Sequence, residues 1–445
     1  MTQTTDRDTG TVRLGAAGAA VTVATMLTNA LAYLVPVLGA RRLTAADLGA
    51  LAAVLALAAI AAVPGFGLQI AVAAHRARWG PSGTGRLALR TAAVTAGVTG
   101  AAAPVLAVAL RLPVALTLLL AASTFATVLA GRWLGELQGD QRFLRLAAAM
   151  TGLAAGRYGG LVVGLALGRG PVVCLLLGTV TGFLVLPLLA RLAASRDGRL
   201  APDGPAAGRR DDLPATRAVD RAAETGPEPG DSPGGSVAGR VLRARHVLTA
   251  CGASLAMLTI SYADLILARQ LLPEDSSGGY AVGSVLTKGA LWAPQVVTLL
   301  VLPRLARGDR RARALALALI VACGAALVAA STLAGELAFR LAGGAEYLHL
   351  AGEAPLFAAV GALYAVVFML VNDRVATGAR WPGAPLWAAT AGLAGAALLF
   401  APPTVGGVLG CALAAAAATA GVMAWLTFRP SRRSPTGPAT TLHGP

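Results

Sequence analysis

Four charged residues stand inside otherwise apolar stretches of this sequence: Arg157, Asp264, Lys288 and Asp373. A charge at the centre of a membrane-spanning helix costs about 2.5–3.5 kcal/mol on insertion scales. Such residues are therefore turned away from lipid, toward a cavity or a partner helix. Lys288 is the only lysine in the chain. Tyr280, Ser284, Trp292 and Gln295 fall on the same helical face as Lys288, so a polar stripe runs along an apolar helix. Asp264 lies on a second such line, below Ser254, Met257 and Ser261. Two roles are open to Lys288 and Arg157. They line a cavity and meet an anionic group such as phosphate, or one of them forms an internal ion pair with Asp264. Asp373 adjoins Asn372 and Arg374 at the end of its apolar stretch, where a solvated loop charge is expected.

Arg157 has an unusual setting. Glycines stand at 152, 156, 160, 164 and 168, each four apart, and form a smooth slanted band on a helix. Such a band lets another helix approach closely, and it also suits a span that slides or tilts. Near the N-terminus, Thr22, Thr25, Asn29 and Tyr33 lie close to one face ahead of Pro36. Proline frees a backbone carbonyl and permits a bend. This face fits a gating helix against the cavity, or a helix–helix hydrogen bond through Asn29.

The elements that hold these residues follow from composition. Of 445 residues, 56% are hydrophobic and 13% charged, and mean hydropathy is +0.68. A soluble domain carries about 25% charged residues. The apolar residues come in blocks of about twenty, the length of a helix that crosses the hydrocarbon core. Twelve such spans are read at 14–38, 47–73, 88–110, 113–131, 144–168, 171–191, 247–268, 280–302, 313–335, 354–372, 384–400 and 405–427. The first carries Asn29, Tyr33 and Pro36 and is too long for the apolar core of a cleaved signal peptide, so it is expected to remain as a span. Cys174, Cys251, Cys323 and Cys411 each sit in an apolar block without metal-ligand spacing, and the four histidines are scattered. No metal, no cofactor and no catalytic residue is expected.

The loops give a topology. Of 37 basic residues, 29 fall on the side that holds the N-terminus, the 192–245 stretch and the C-terminal tail. The other side has six: Arg41, Arg42, Arg111, Arg169, Arg269 and Arg340. The positive-inside rule then places both termini in the cytoplasm, in a multi-pass protein of the cytoplasmic membrane. The same asymmetry accounts for the net charge of +16 without a nucleic-acid partner. Arg41, Arg42 and Arg269 fall at the outer mouth, either drawing an anionic group there or lying solvated among headgroups.

Residues 192–245 are rich in Pro, Gly, Asp and Arg and lack aromatics, which reads as a disordered cytoplasmic linker. The linker divides the chain into an N-terminal six-helix bundle, 1–191, and a C-terminal one, 246–428, with a disordered tail at 429–445. The halves also repeat. Ala40-Arg41 matches Ala268-Arg269, Leu43 matches Leu271, Gly49 matches Gly279, and Pro64 matches Pro294. Both Gly-to-Pro separations are fifteen residues. An even number of spans per half makes this a parallel repeat about an axis along the membrane normal. Pro36, Pro64 and Pro294 are candidate hinges.

The pattern of span, Ala-Arg-x-Leu, acidic residue, glycine, span and proline, repeated after a central loop, resembles the polysaccharide exporters. These belong to the multidrug/oligosaccharidyl-lipid/polysaccharide exporter superfamily. The segment from Gly39 to Gly49, followed by a span running to Pro64 and Gln69, is similar to the start of many lipid-linked oligosaccharide flippases. The resemblance implies an all-α polytopic membrane protein, with two parallel six-helix bundles around a central cavity and alternating access. It implies an anionic lipid-linked glycan as substrate, membrane lipids around the protein, and glycan polymerase or glycosyltransferases as its neighbours in the cell envelope. The protein is expected to act as a monomer. The candidate cavity set, read from the intramembrane charges and helical spacing, is Lys288, Arg157, Asp264, Asn29, Tyr33, Ser284 and Tyr280.

The rival within the superfamily is an ion-coupled multidrug antiporter, which favours acidic cavity residues; Asp264 is its one candidate. A major-facilitator transporter also has six plus six spans, but its loop signature is absent from 74–86. A membrane-embedded glycosyltransferase needs a large outer loop with catalytic acids, and the segment 336–353 is short. Deletion of 200–236 is expected to leave insertion and folding intact. Loss of the monodisperse peak in size-exclusion chromatography would show that the linker is structured.

Overall fold

A backbone that crosses lipid must satisfy its own N–H and C=O groups, and an uninterrupted apolar helix does so within one segment. The computed structural model describes the backbone of residues 4–79, 83–194, 233–292, 294, 310–377, 379 and 381–429. Side chains are described from residue 20 in the first helix and from residue 251 in the helix that opens the second half. Among the described residues there are fourteen α-helices and one 3-10 helix, and no strand. The first half holds α1 (Thr4–Arg42), α2 (Ala45–Ala61), α3 (Val63–Trp79), α4 (Gly85–Ala109), α5 (Val114–Gly139), α6 (Phe143–Ala166) and α7 (Pro171–Ala194). The second half holds α8 (Pro233–Leu271), α9 (Glu274–Trp292), α10 (Arg310–Leu333) and the short α11 (Gly335–Ala342). The 3-10 helix Ala345–Glu353 follows, then α12 (Ala354–Ala376), α13 (Ala384–Leu399) and α14 (Val405–Phe428).

Ten segments are long and apolar enough to cross a membrane. The helices α2 and α3 form one of them, Ala45–Ala77. Helix α13 is apolar but shorter, and α9 meets the edge of the described residues at Trp292. With these two, the twelve positions read from the sequence are filled, in two bundles of six. Helix α1 extends beyond the expected 14–38, and its apolar part is Ala20–Arg42. Helix α8 starts at Pro233, so helical backbone takes in the end of the 192–245 stretch. The remainder of that stretch, 195–232, and the tail from 430 lie outside the described residues.

Each half has its own apolar interior. In the second, Tyr280, Phe339, Phe357 and Tyr364 are fully buried. The Tyr280 and Phe357 rings meet edge to face at 5.2 Å. The first half is built around two clusters, one with Leu116, Leu120, Leu161 and Leu165 and one with Leu134, Leu137, Leu146 and Leu189. Large apolar side chains such as Val108, Leu184, Leu333 and Phe400 face outward, as a lipid-facing surface requires.

Within a bilayer the hydrophobic effect does not pull helices together, so close contact comes from small residues. Helix α5 carries Gly131, Gly135 and Gly139 against the α3 backbone, where added Cβ atoms would meet the carbonyls of Gly65, Gln69 and Ala73. Helix α6 places Gly156, Gly160 and Gly164 against α7 at Val185, Leu177 and Cys174. The two halves touch where α2 packs on α8 and α9, and where α3 packs on α8.

A Cβ on Gly135 would lie 2.5 Å from the Gln69 carbonyl oxygen and 2.9 Å from Val72 Cβ. Gly135→Val should lower stability by about 1–3 kcal/mol through overpacking. Gly97, with nothing within 4 Å of its Cβ position, should accept alanine without loss. Thermal unfolding in detergent separates the two, and an equal loss from both would contradict this account of the helix contact.

Candidate functional site

The glycine contact with α7 fixes the roll of α6 about its axis. Arg157, next to Gly156, is thereby turned off the packed face and toward the interface between the halves. There it lines a cavity of about 340 Å³. Asn29, Tyr33 and Pro36 reach this cavity from α1, and Ser284, Lys288 and Trp292 from α9. Phe66, Tyr158 and Tyr262 complete its aromatic lining. Among the described residues no acidic side chain lines it.

The two cations are held differently. The Arg157 guanidinium carbon lies 5.5 Å from the Tyr158 ring centre. Among the described residues Arg157 makes no hydrogen bond or ion pair, so its donors are open to the cavity. The Lys288 ammonium donates to the Ser261 carbonyl and sits 3.6 Å from the centre of the Tyr262 ring. It is thus partly satisfied by α8. The Tyr33 hydroxyl is buried without a partner among the described residues, and Ser284 Oγ donates to the Ala281 carbonyl at 2.7 Å.

Asp264 and Tyr280 do not line the cavity. Asp264 is 2% exposed and accepts a hydrogen bond from the Tyr280 hydroxyl at 3.0 Å. It lies one turn beyond Ser261 on α8, behind the wall that holds Lys288. No ion pair within 4.0 Å joins Lys288 or Arg157 to Asp264 among the described residues. Asp373, expected as a solvated loop charge, is 2% exposed and paired with Arg313 Nε at 3.0 Å.

The three arginines expected at the outer mouth separate. Arg42 is exposed. Arg41 is exposed and donates to the Leu341 carbonyl at 3.3 Å. Arg269 is 5% exposed, so it is neither solvated nor among headgroups. Of the prolines, Pro36 stays inside α1. Pro64 stands at the start of α3, where the span breaks at Ala62. Pro294 lies two residues beyond the end of α9 and is buried. Gln295 lies outside the described residues. No group of three or more His, Cys, Asp or Glu residues is placed to hold a metal among the described residues.

Sequence reasoning passed over Phe66, Tyr158 and Tyr262. A signal was present for the tyrosines: the chain has only six, and Tyr158 and Tyr262 each lie within two residues of an intramembrane charge.

No protein-family model matches this chain, and no curated protein sequence matches it. Solved structures do. A multidrug resistance transporter of the MATE family, MOP superfamily, in an inward-facing conformation, aligns with a TM-score of 0.58 at 16% identity. That alignment covers 90% of this chain and 94% of the transporter. The eukaryotic MATE transporter AtDTX14 aligns with a TM-score of 0.53 at 13% identity, over 93% and 94%. A MATE protein in complex with MaL6 aligns with a TM-score of 0.54 at 14% identity, again over 93% and 94%. At these identities the likeness is one of fold, and it extends over almost the whole chain. The chain has the fold of the MATE transporters of the MOP superfamily.

Tyr280→Phe would leave the buried Asp264 without the one side-chain hydrogen bond it has among the described residues. Stability should fall by roughly 1–3 kcal/mol, the cost of a buried polar group that loses its partner. An unchanged thermal midpoint in detergent would show that Asp264 is satisfied some other way.

Proposed function

We propose that the protein is an alternating-access membrane transporter whose cargo is a compact amphiphilic organic anion. The observation that carries this reading is the cavity between the halves. Among the described residues it presents Arg157 and Lys288, no carboxylate, and a wall of aromatic side chains. An unpaired guanidinium in a site of low dielectric favours an anion, and planar aromatic surfaces favour an apolar or aromatic body attached to it. The size, about 340 Å³, falls at the lower end of the range for drug-sized ligands, roughly 300–1,000 Å³. The fold likeness to multidrug resistance transporters supports small-molecule transport over the flipping of a large lipid-linked glycan. Asp264, behind Lys288, is the group on which a coupling cation would act.

The second reading is the lipid-linked oligosaccharide flippase. The same cationic pair favours it, since a lipid diphosphate would meet Arg157 and Lys288 equally well. It asks for a wider cavity and a side opening for the lipid tail. On the charge asymmetry of the loops, both termini are cytoplasmic and the 43–44, 110–113 and 272–273 turns face outward.

The readings separate in proteoliposomes given p-aminobenzoate, ethidium, or an undecaprenyl-diphosphate disaccharide. Wild-type protein should move p-aminobenzoate. Arg157→Gln should lower that flux at least tenfold, the loss of a charge-assisted contact of about 1.4 kcal/mol or more, and Lys288→Gln should lower it less. Movement of ethidium without the carboxylate would overturn the anionic cargo. Movement of the lipid diphosphate alone would favour the flippase.

A further inference from the structure

At the end of the interface marked by the 43–44, 110–113 and 272–273 turns, a second cluster of charge, outside the cavity lining, joins the halves. Arg269 stands in the last turn of α8. Its Nε donates to the Leu110 carbonyl at 3.2 Å, and its Nη2 to the Arg111 carbonyl at 3.2 Å. Its Nη1 donates to the Ala46 carbonyl at 3.3 Å and to Ser277 Oγ at 3.2 Å. Glu274 lies 3.7 Å away and is half-exposed. Leu110, Arg111 and Ala46 belong to the first half, whereas Arg269, Ser277 and Glu274 belong to the second.

Arg41 makes the reciprocal contact. It stands in the last turn of α1 and donates to the Leu341 carbonyl, at the end of α11. Arg41 and Arg269 are matched residues of the internal repeat. Their acceptors lie at different places. Leu110 closes α4, the third span of the first half, and Leu341 lies in the last turn of α11, the short helix that follows α10. Each half thus sends an arginine from the end of its first span onto backbone carbonyls of the other half, at or after its third span. Beside Arg269, the starts of α2 and α9 meet closely. A Cβ on Gly278 would collide with the Ala45 carbonyl, and one on Gly49 would lie 2.5 Å from Ser277 Oγ.

We propose that Arg269 and Arg41 form a two-fold clasp that holds this end of the pathway closed, and that its release opens the cavity to that side. The proposal rests on the alternating-access reading above. The chemistry suits a reversible seal. The guanidinium is permanently charged and offers several donors in a fixed plane, so one residue satisfies several helix-end carbonyls at once. The Leu110 and Arg111 carbonyls sit at the turn after α4, where water replaces the arginine once the halves separate, and the Ala46 carbonyl lies in the first turn of α2. Ser277 and Glu274 travel with Arg269, so the charge stays partnered in the opened state. The arms are unequal: Arg269 is buried and reaches three carbonyls of the other half, and Arg41 is exposed and reaches one. Arg269 acts as a positioning residue, not a ligand for cargo, because its donors are committed.

The test places spin labels at Val114→Cys and Glu346→Cys, exposed sites on opposite halves at this end. The four native cysteines are replaced, and the full chain is held in lipid nanodiscs. Double electron–electron resonance reads the ratio of long to short separations. Arg269→Gln should raise that ratio at least tenfold, equivalent to about 1.4 kcal/mol. Ser277→Ala keeps the arginine and removes only a hydroxyl, so it should fold and shift the ratio in the same direction by less. Arg41→Gln should also give a smaller shift. Wild-type distance distributions in Ser277→Ala and in whichever arginine variants are monodisperse would overturn the clasp. If a long-separation population is present but equal in all proteins, the clasp fails and alternating access stands. A single short distance in every protein, with no flux of p-aminobenzoate, removes both.

Discussion

Inside a bilayer every backbone N–H and C=O must find a partner within the protein, and each one left over costs several kcal/mol. That constraint makes the spans helical and shifts the difficulty to the helix ends, where the last carbonyls lack intrahelical donors. This chain answers at each kind of end. Thr44 caps α2 by accepting from the Asp47 N–H at 3.2 Å, and Thr404 caps α14 through the Gly407 N–H at 3.1 Å. At carbonyl ends it uses arginine. Arg374 reaches the Leu426 carbonyl at 3.3 Å, and Arg269 and Arg41 reach the ends of α4 and α11. A guanidinium supplied by another helix therefore joins two elements while it completes one of them.

The same solvent removes the usual reason for helices to pack, since lipid is as apolar as leucine. Close backbone contact takes its place. The glycines of α5 and α6 let α3 and α7 approach until carbonyl and Cα surfaces touch. Such contacts have little side-chain interlocking but fix how each helix is turned about its axis. Arg157 depends on this. Its direction toward the cavity is set by Gly156, Gly160 and Gly164 on the neighbouring face, so a structural stripe positions a charge that lines the cavity.

The helical class and the span count were legible in the sequence, because block length is a local property. Arg41 and Arg269 match in the sequence repeat, and in the structure each donates to a backbone carbonyl of the opposite half. Their role was hidden, because a terminal arginine at a span end reads as a headgroup contact until the opposite half is placed against it. Lys288 and Arg157 look alike in sequence and differ in structure, since only Lys288 finds a carbonyl and a ring on α8. Asp373 was misjudged for a related reason: its partner Arg313 lies sixty residues away, and proximity in the chain to Asn372 and Arg374 suggested water instead. Asp264 was placed with the cavity residues on helical spacing, which gives the face of a helix but not how deeply that face is covered.

Beyond helix packing, charged groups stand between the halves at two levels. At depth, Arg157 belongs to the first half and Lys288 to the second, so the proposed anionic cargo would draw the halves together around the cavity. At the closed end, Arg269 and Arg41 hold carbonyls of the opposite half at 3.2–3.3 Å, a little beyond the best hydrogen-bond length of about 2.9–3.0 Å. A ligand moves a two-state equilibrium only by the difference in its affinity for the two states. A clasp much stronger than that difference would leave the cavity permanently shut at one end, and a much weaker one would let both ends open together. Backbone acceptors at turns, which water can satisfy in turn, keep the seal within reach of what a single bound anion can shift.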